Sequence, residues 1–288
     1  MIFYLTTNIN IFFQLCNLNK HNRGKQYLKN KAIILFIFLL AQVVVQAQCL
    51  VNSIAFQPGE VLKYGAYYNW GIIWLNAGEA EFTVSNHNYE GRDVYHFRAN
   101  GSTFKSYDLI FRVRQKYQAY VDTETLKPLW YERDVLEGNY TAFESYTFDY
   151  ENNQINAFVQ RRSNPGVNRT LPLTPCLFDV LSAIYYFRSV DFSKYSVGDN
   201  IPVSAILDRR TYNLHLRYLG KEEVRTRDRT KYNCLKFAIQ LVGGTVFKDG
   251  QEAIVWVTDD KNKIPVVVEA PIRVGSVKVM LTDARNLK

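Results

Sequence analysis

Carboxylates and imidazoles are the side chains here that could move protons or hold a metal, and their spacing argues against both roles. Asp259 and Asp260 adjoin, as an acid–base pair or a metal clamp would, and Glu79 and Glu81 lie two apart on one side of an expected strand. Asp259-Asp260, however, falls in a polar turn, where aspartate hydrogen-bonds its own backbone. Glu79 and Glu81 read as a solvated strand face rather than the carboxylate pair of a glycoside hydrolase. His87, His96 and His215 show no ligand spacing, and the last two sit between apolar neighbours as strand residues do. There is no GxSxG elbow, HExxH helix, phosphate loop or GxGxxG, and no CxxC or Cys/His cluster that would suit zinc. The expectation is a non-enzymatic protein with no cofactor and no metal. An envelope hydrolase using Asp259, Asp260 or Glu137 is the outlying alternative.

The more informative chemistry is apolar. Asn69-Trp70-Gly71-Ile72-Ile73-Trp74-Leu75 places two tryptophans and three large aliphatics at an expected hairpin tip. Exposed, such a patch meets a lipid, a protein or a membrane surface; folded into the concavity of a sheet, it lines a pocket for a hydrophobic ligand. Core packing is the plain alternative. Trp70, Ile72, Ile73 and Trp74, with Leu177, Leu181 and Ile184 from the expected helix, form the candidate ligand-binding set. A glycan-binding or structural module would instead use Trp70, Trp74, Trp130 and Trp256 as stacking faces.

The elements that must position these residues are mostly strands. Aromatic residues make up 15% of the chain, with 20 Tyr and 18 Phe, a composition that suits pleated surfaces. Strand runs are expected at residues 61–68, 77–85, 94–100, 111–121, 126–135 and 140–150, then at 213–219, 235–242, 253–257, 265–269 and 275–281, separated by turn residues. The punctuation recurs: Gly59-Glu60, Asp122, Pro128 and Gly138 are followed in the same order, at nearly constant separation, by Gly198-Asp199, Asp259, Pro265 and Gly275. That pattern predicts two similar halves, residues 48–162 and 190–288. Between them, residues 163–189 hold a polar connector and one helix, capped by Thr174, opened by Pro175 and favoured by Asp179 in its first turn. Its stripe of Leu177, Val180, Leu181, Ile184 and Phe187 has helical spacing. The expected fold is all-β and mostly antiparallel, a strongly curved or open-barrel sheet with that helix packed inside it.

Residues 28–47 read as an export signal. Lys29 and Lys31 precede an apolar run, Ala32 to Val45, and Val45-Gln46-Ala47 offers small residues for cleavage after Ala47. At about fourteen residues the run is too short for a membrane span, which needs roughly twenty, so no transmembrane segment is expected in the mature chain. Gln48 before Cys49 lacks the small side chain that lipid attachment requires, so a lipoprotein is not expected. Residues 1–27 read as a mis-called leader, with translation beginning at Leu28. Lys20, Arg23, Lys25, Lys29 and Lys31 account for much of the formal +8 charge. The remaining chain is near balance and carries no footprint for nucleic acid. Cys49, Cys176 and Cys234 remain after cleavage; one pair can bridge in an oxidising compartment, and the spacing does not choose which.

Several stretches together resemble one exported bacterial family. These are Pro58-Gly59-Glu60-Val61-Leu62-Lys63-Tyr64, Asn76-Ala77-Gly78-Glu79-Ala80, Phe178-Asp179-Val180-Leu181-Ser182-Ala183, Trp256 to Pro265, and Ile272-Arg273-Val274-Gly275-Ser276. In that order they are similar to the family called domain of unknown function thirty-one-oh-eight, over roughly Phe56 to Leu281. The resemblance implies secretion from a Gram-negative-type cell and a β-rich fold, and it implies no assigned activity. The expected architecture is also similar to the open β-barrel carriers of lipoproteins, a likeness that does not fix function. The functional expectation is a periplasmic or outer-surface protein that binds or carries an apolar or amphiphilic, lipid-like ligand, with a lipid, a lipoprotein or an envelope protein as partner.

Overall fold

Residues 49, 51, 53–70, 73–242, 250–272 and 275–288 are described by a computed structural model. The leader, the signal segment and its cleavage site lie outside these residues. Fifteen strands alternate with tight turns: β1 Val61–Trp70, β2 Ile73–Tyr89, β3 Arg92–Thr103, β4 Val113–Asp122, β5 Pro128–Glu137, β6 Tyr140–Asp149, β7 Gln154–Arg161 and β8 Val167–Pro172, followed by β9 Leu177–Asp179, β10 Asn200–Leu207, β11 Arg210–Arg225, β12 Lys231–Gln240, β13 Glu252–Thr258, β14 Pro265–Pro271 and β15 Ser276–Arg285. They form one sheet in the order β8-β7-β6-β5-β4-β3-β2-β1-β15-β14-β13-β12-β11-β10-β9. Every pairing is antiparallel except β9 with β10. The first and last long strands meet at the centre through Val61 to Asn69 against Arg285 to Ser276. β8 and β9 are the edges, so the sheet is open.

The recurrent punctuation has a recurrent geometry. Gly59 and Gly198 both take positive φ, +92° and +97°, a backbone conformation that a Cβ disfavours. Each starts a strand with the same two hydrogen bonds. Gly59 N donates to Val84 O and Val84 N to Glu60 O; Gly198 N donates to Tyr218 O and Tyr218 N to Asp199 O. Pro128 and Pro265 open β5 and β14, and each pairing has a register shift beside its proline, at Tyr120/Val121 and at Trp256/Val257. These parallels support a doubling of β1–β6 as β10–β15, which we propose as the origin of the two halves.

Among the described residues two α-helices accompany the strands, a single turn α1 (Asp108–Phe111) and α2 (Val180–Arg188). α2 is shorter than the sequence pattern suggests. Leu177 to Asp179 pair in parallel with Ser204 to Ile206, so this stretch is a strand rather than a first turn. Asp179 is the N-cap: its carboxylate accepts from the backbone N–H of Leu181 and Ser182, and Thr174 and Pro175 lie outside the helix. The connector is also not featureless, since β8 runs through it as an exposed edge strand. Asn168, Arg169 and Thr170 make its sequence polar, with only Leu171 packed on the core, which explains why it was concealed. Phe111, expected to begin a strand, ends α1 instead.

The core lies on the concave face around α2. Leu181 and Tyr185 pack among Phe97, Ala119, Tyr131, Tyr146 and Ile155 from the first half and Leu177 from β9. The rings of Phe97 and Tyr185 stack at 3.9 Å. Tyr186 and Phe187 turn instead toward a second cluster of Phe192, Leu216, Tyr218, Leu235 and Phe237. The helix therefore fills the space between the halves, as an amphipathic segment must when water is excluded from both sides.

Both ends of the connecting segment are fastened. Cys49 and Cys176 form a disulfide with 5.5 Å between their Cα atoms, answering the pairing that spacing left open. Cys234 is buried and free, and burial pushes its thiol up to about 11. At the far end, Arg188 makes a bidentate, fully buried ion pair with Glu60, at 2.6 and 2.8 Å. Arg188 Nε also donates to Asn262 O at 3.1 Å, so one guanidinium joins the entry segment, the helix and the β13–β14 turn.

Candidate functional site

Alternation along β2, β3 and β4 turns Ala80, Phe82, Ala99 and Tyr117 toward α2. With Val180, Leu181 and Ile184 these side chains line a cleft of about 170 Å³ whose polar edge is Asn100, Gly101 and Gln115. Small residues at 80, 99 and 101 keep the sheet floor low where the first turn of α2 passes over it. A dry apolar cavity of about 150 Å³ holds a benzene-sized group. The cleft therefore suits a ring or the end of an acyl chain, and it is smaller than the roughly 300–1,000 Å³ of a pocket that engulfs a whole ligand. Lys63, Glu79, Glu81, Arg114 and Lys116, on alternate positions, line a larger, more polar cleft of about 400 Å³ that shares Ala80, Asn100, Gly101 and Gln115 with the first.

Beyond Tyr117 the concave face becomes charged. Glu144 on β6 accepts from Tyr146 Oη at 2.6 Å and from Arg133 at 3.2 Å. Arg161 pairs with Asp208 in the β10–β11 turn, and Arg133 reaches the same carboxylate at 3.4 Å. Since Asp208 belongs to the second half, this cluster clasps the two halves where no strand pairing joins them. Tyr117 lies against the Arg133 guanidinium, 6.0 Å from ring to charge, so the apolar cleft runs directly into the clasp. Burial, and then the neighbouring Asp208, push Glu144 up to about 7. Asp208, despite its burial, is held below the ordinary carboxylate range by the Glu144 proton and by Arg161 and Arg133.

The folded chain thus binds a proton at Glu144 that the unfolded chain releases above its ordinary value near 4.5. The stability this contributes is fully present below that pH and is lost as pH rises to about 7. Glu144→Gln, which keeps the neutral form, is expected to flatten the fall of the urea midpoint across this window. The share of Asp179, pushed up to about 6 by burial, survives in the variant. An unchanged slope would remove Glu144 from this role.

The candidate ligand-binding residues do not form one site. Leu181 and Ile184 line the cleft, while Leu177 is buried in the core beside it. Trp70 pairs with Ile73 to close the β1–β2 hairpin, and Ile72 lies outside the described residues. Ile73 is 58% exposed, and the Lys278 ammonium sits 4.7 Å over the Trp74 ring. Ile73 is seven residues along β2 from Ala80, roughly 23 Å at the usual strand rise, so its exposed side chain lies apart from the cleft. Ala80, Ala99 and Tyr117 escaped notice because nothing but a paired register shows which small residues face a helix.

The residues of the alternative readings are engaged elsewhere. Asp260 accepts from Thr258 Oγ1, Asn262 N and Lys263 N, holding the β13–β14 turn, and Asp259 pairs with Lys221. Glu137, which accepts from Gln115 at 2.7 Å, ends β5 at the opposite rim of the sheet. Trp130 stacks on Tyr120 and Tyr120 on His87, at 5.0 and 4.8 Å, so these rings cover each other's faces. Trp256 donates to Glu222 at 3.0 Å. Among the described residues no group of His, Cys, Asp and Glu could hold a metal ion.

The family model described as a protein of unknown function (DUF3108) matches residues 63–282. The chain belongs to that family. A beta-barrel-like protein of domain of unknown function DUF1849 from Brucella abortus is similar to this DUF3108 protein in fold. The TM-score is 0.53 at 10% identity, covering 82% of this chain and 100% of that one. No curated protein matches the sequence. No helix of the DUF3108 protein, among the described residues, is long and apolar enough to cross a membrane, and its disulfide is compatible with export.

Proposed function

We propose that this DUF3108 protein is a non-enzymatic protein of the cell envelope, exported by its signal segment, that holds or passes on an apolar or amphiphilic, lipid-like ligand. The observation that carries the reading is the apolar cleft under the first turn of α2. Its walls offer no polar partner deep inside, whereas its edge carries Asn100 and Gln115 and leads through Tyr117 to the Arg133 cluster. An acyl end would take the cleft, each buried methylene contributing about 0.8 kcal/mol, and a polar head would meet Gln115 and Arg133.

Ile184→Trp fills the cleft from the helix side. Its expected effect is at least a tenfold loss of affinity for a fluorescent fatty-acyl probe, read by displacement, with the thermal midpoint within a few degrees of wild type. Equal probe affinity in the variant would move the ligand elsewhere, and no binding by wild type would remove the reading.

A further inference from the structure

Neighbouring strands alternate in direction, so the ends of β1, β3, β5, β7, β10, β12 and β14 share one rim of the sheet. Among the described residues, six large hydrophobics are exposed, and only Val197 belongs to the other rim. The strongest lie in α1, which links β3 to β4: Leu109 is 96% and Ile110 74% exposed. Ile73, from the neighbouring hairpin, joins them; Phe104 N, at the start of the link, donates to Ala77 O at 2.9 Å. α1 is anchored from beneath, because Phe111 packs on Gly138 and Arg112 O accepts from Gly138 N. Its apolar tip is therefore held outward and not merely unpacked.

The same rim is cationic. Lys105 and Arg112 flank α1 and are exposed, as are Arg162 in the β7–β8 connection and Arg210 at the start of β11. The acids of these turns are already neutralised, Asp108 by Arg114 and Asp208 by Arg161. Exposed aliphatic tips on a rim that also carries exposed cations complement an anionic bilayer surface, where the tips enter the acyl boundary and the cations meet phosphates. We infer that this rim, through α1, docks the protein on an anionic lipid surface. Gly101 and Gln115, paired at the edge of the apolar cleft, lie two residues below the ends of β3 and β4. The docked rim thus places the cleft edge within about 7 Å of the lipid side. The docking surface itself does not depend on the cleft being filled.

The test is co-sedimentation of the purified mature protein with vesicles, phosphatidylcholine alone or with about a third phosphatidylglycerol. Wild type is expected to sediment with the anionic vesicles and not with the neutral ones. Leu109→Ser with Ile110→Ser, and separately Lys105→Glu with Arg112→Glu, should each weaken binding about tenfold or more; all four side chains are surface groups. Ile184→Trp should bind vesicles like wild type, which separates this surface from the cleft. No sedimentation with anionic vesicles, or affinity untouched by both double variants, overturns the inference. So does recovery of the rim only in complex with an envelope protein.

Discussion

Arg188→Met is expected to lower the unfolding free energy by about 3–5 kcal/mol, the usual loss when one member of a buried ion pair is removed. The cause is what remains behind. Glu60 is fully buried, and without the guanidinium its carboxylate has no counter-charge. Asn262 O and Ala55 O lose their donor at the same stroke, and the rings of Phe56 and Tyr185 lose the cation resting 5.8 and 5.3 Å from them. Because the pair ties α2 to the entry segment and to the β13–β14 turn, the loss should appear as one cooperative shift in urea unfolding. Glu60→Gln should lose less, since an amide oxygen still accepts one hydrogen bond. Pairing Arg188→Met with Glu60→Leu should recover part of the deficit, because an apolar pair of similar volume leaves no stranded charge. A loss below about 1 kcal/mol in Arg188→Met would mean that water reaches this pair.

Removing the disulfide is the second large effect. Cys49→Ser with Cys176→Ser opens a closure spanning 127 residues, and loss of such a bridge costs roughly 2–5 kcal/mol. The bridge also fixes the chain just ahead of β9 and α2, so the apolar cleft should loosen before the sheet melts. Urea unfolding of the double variant, and of wild type under reductant, should agree. Equal stability with and without the bridge would show that packing alone holds the segment.

The sequence disclosed the parts of this fold that local chemistry governs. Gly59 and Gly198 mark turns that need positive φ, and Pro128 and Pro265 open strands at register shifts. The alternation of apolar and polar residues marked eleven of the strands. What remained hidden depends on partners distant along the chain. β9 is three residues long and exists through its pairing with β10. β8 is a mostly polar edge that buries only Leu171 in part. The Glu144 clasp draws on β5, β6, β7 and the β10–β11 turn, a convergence that no single window of sequence contains. The apolar hairpin was legible as a patch, but its direction was not, because either face of β2 could have carried it.

The lipid-binding account is tested most directly by mass spectrometry under native conditions on the mature protein purified from its own envelope, followed by lipid extraction. The account predicts a bound species that carries an acyl chain and whose occupancy falls in Ile184→Trp. A wild-type protein that carries no such species, and that takes up none when offered fatty acids or phospholipids, would contradict it.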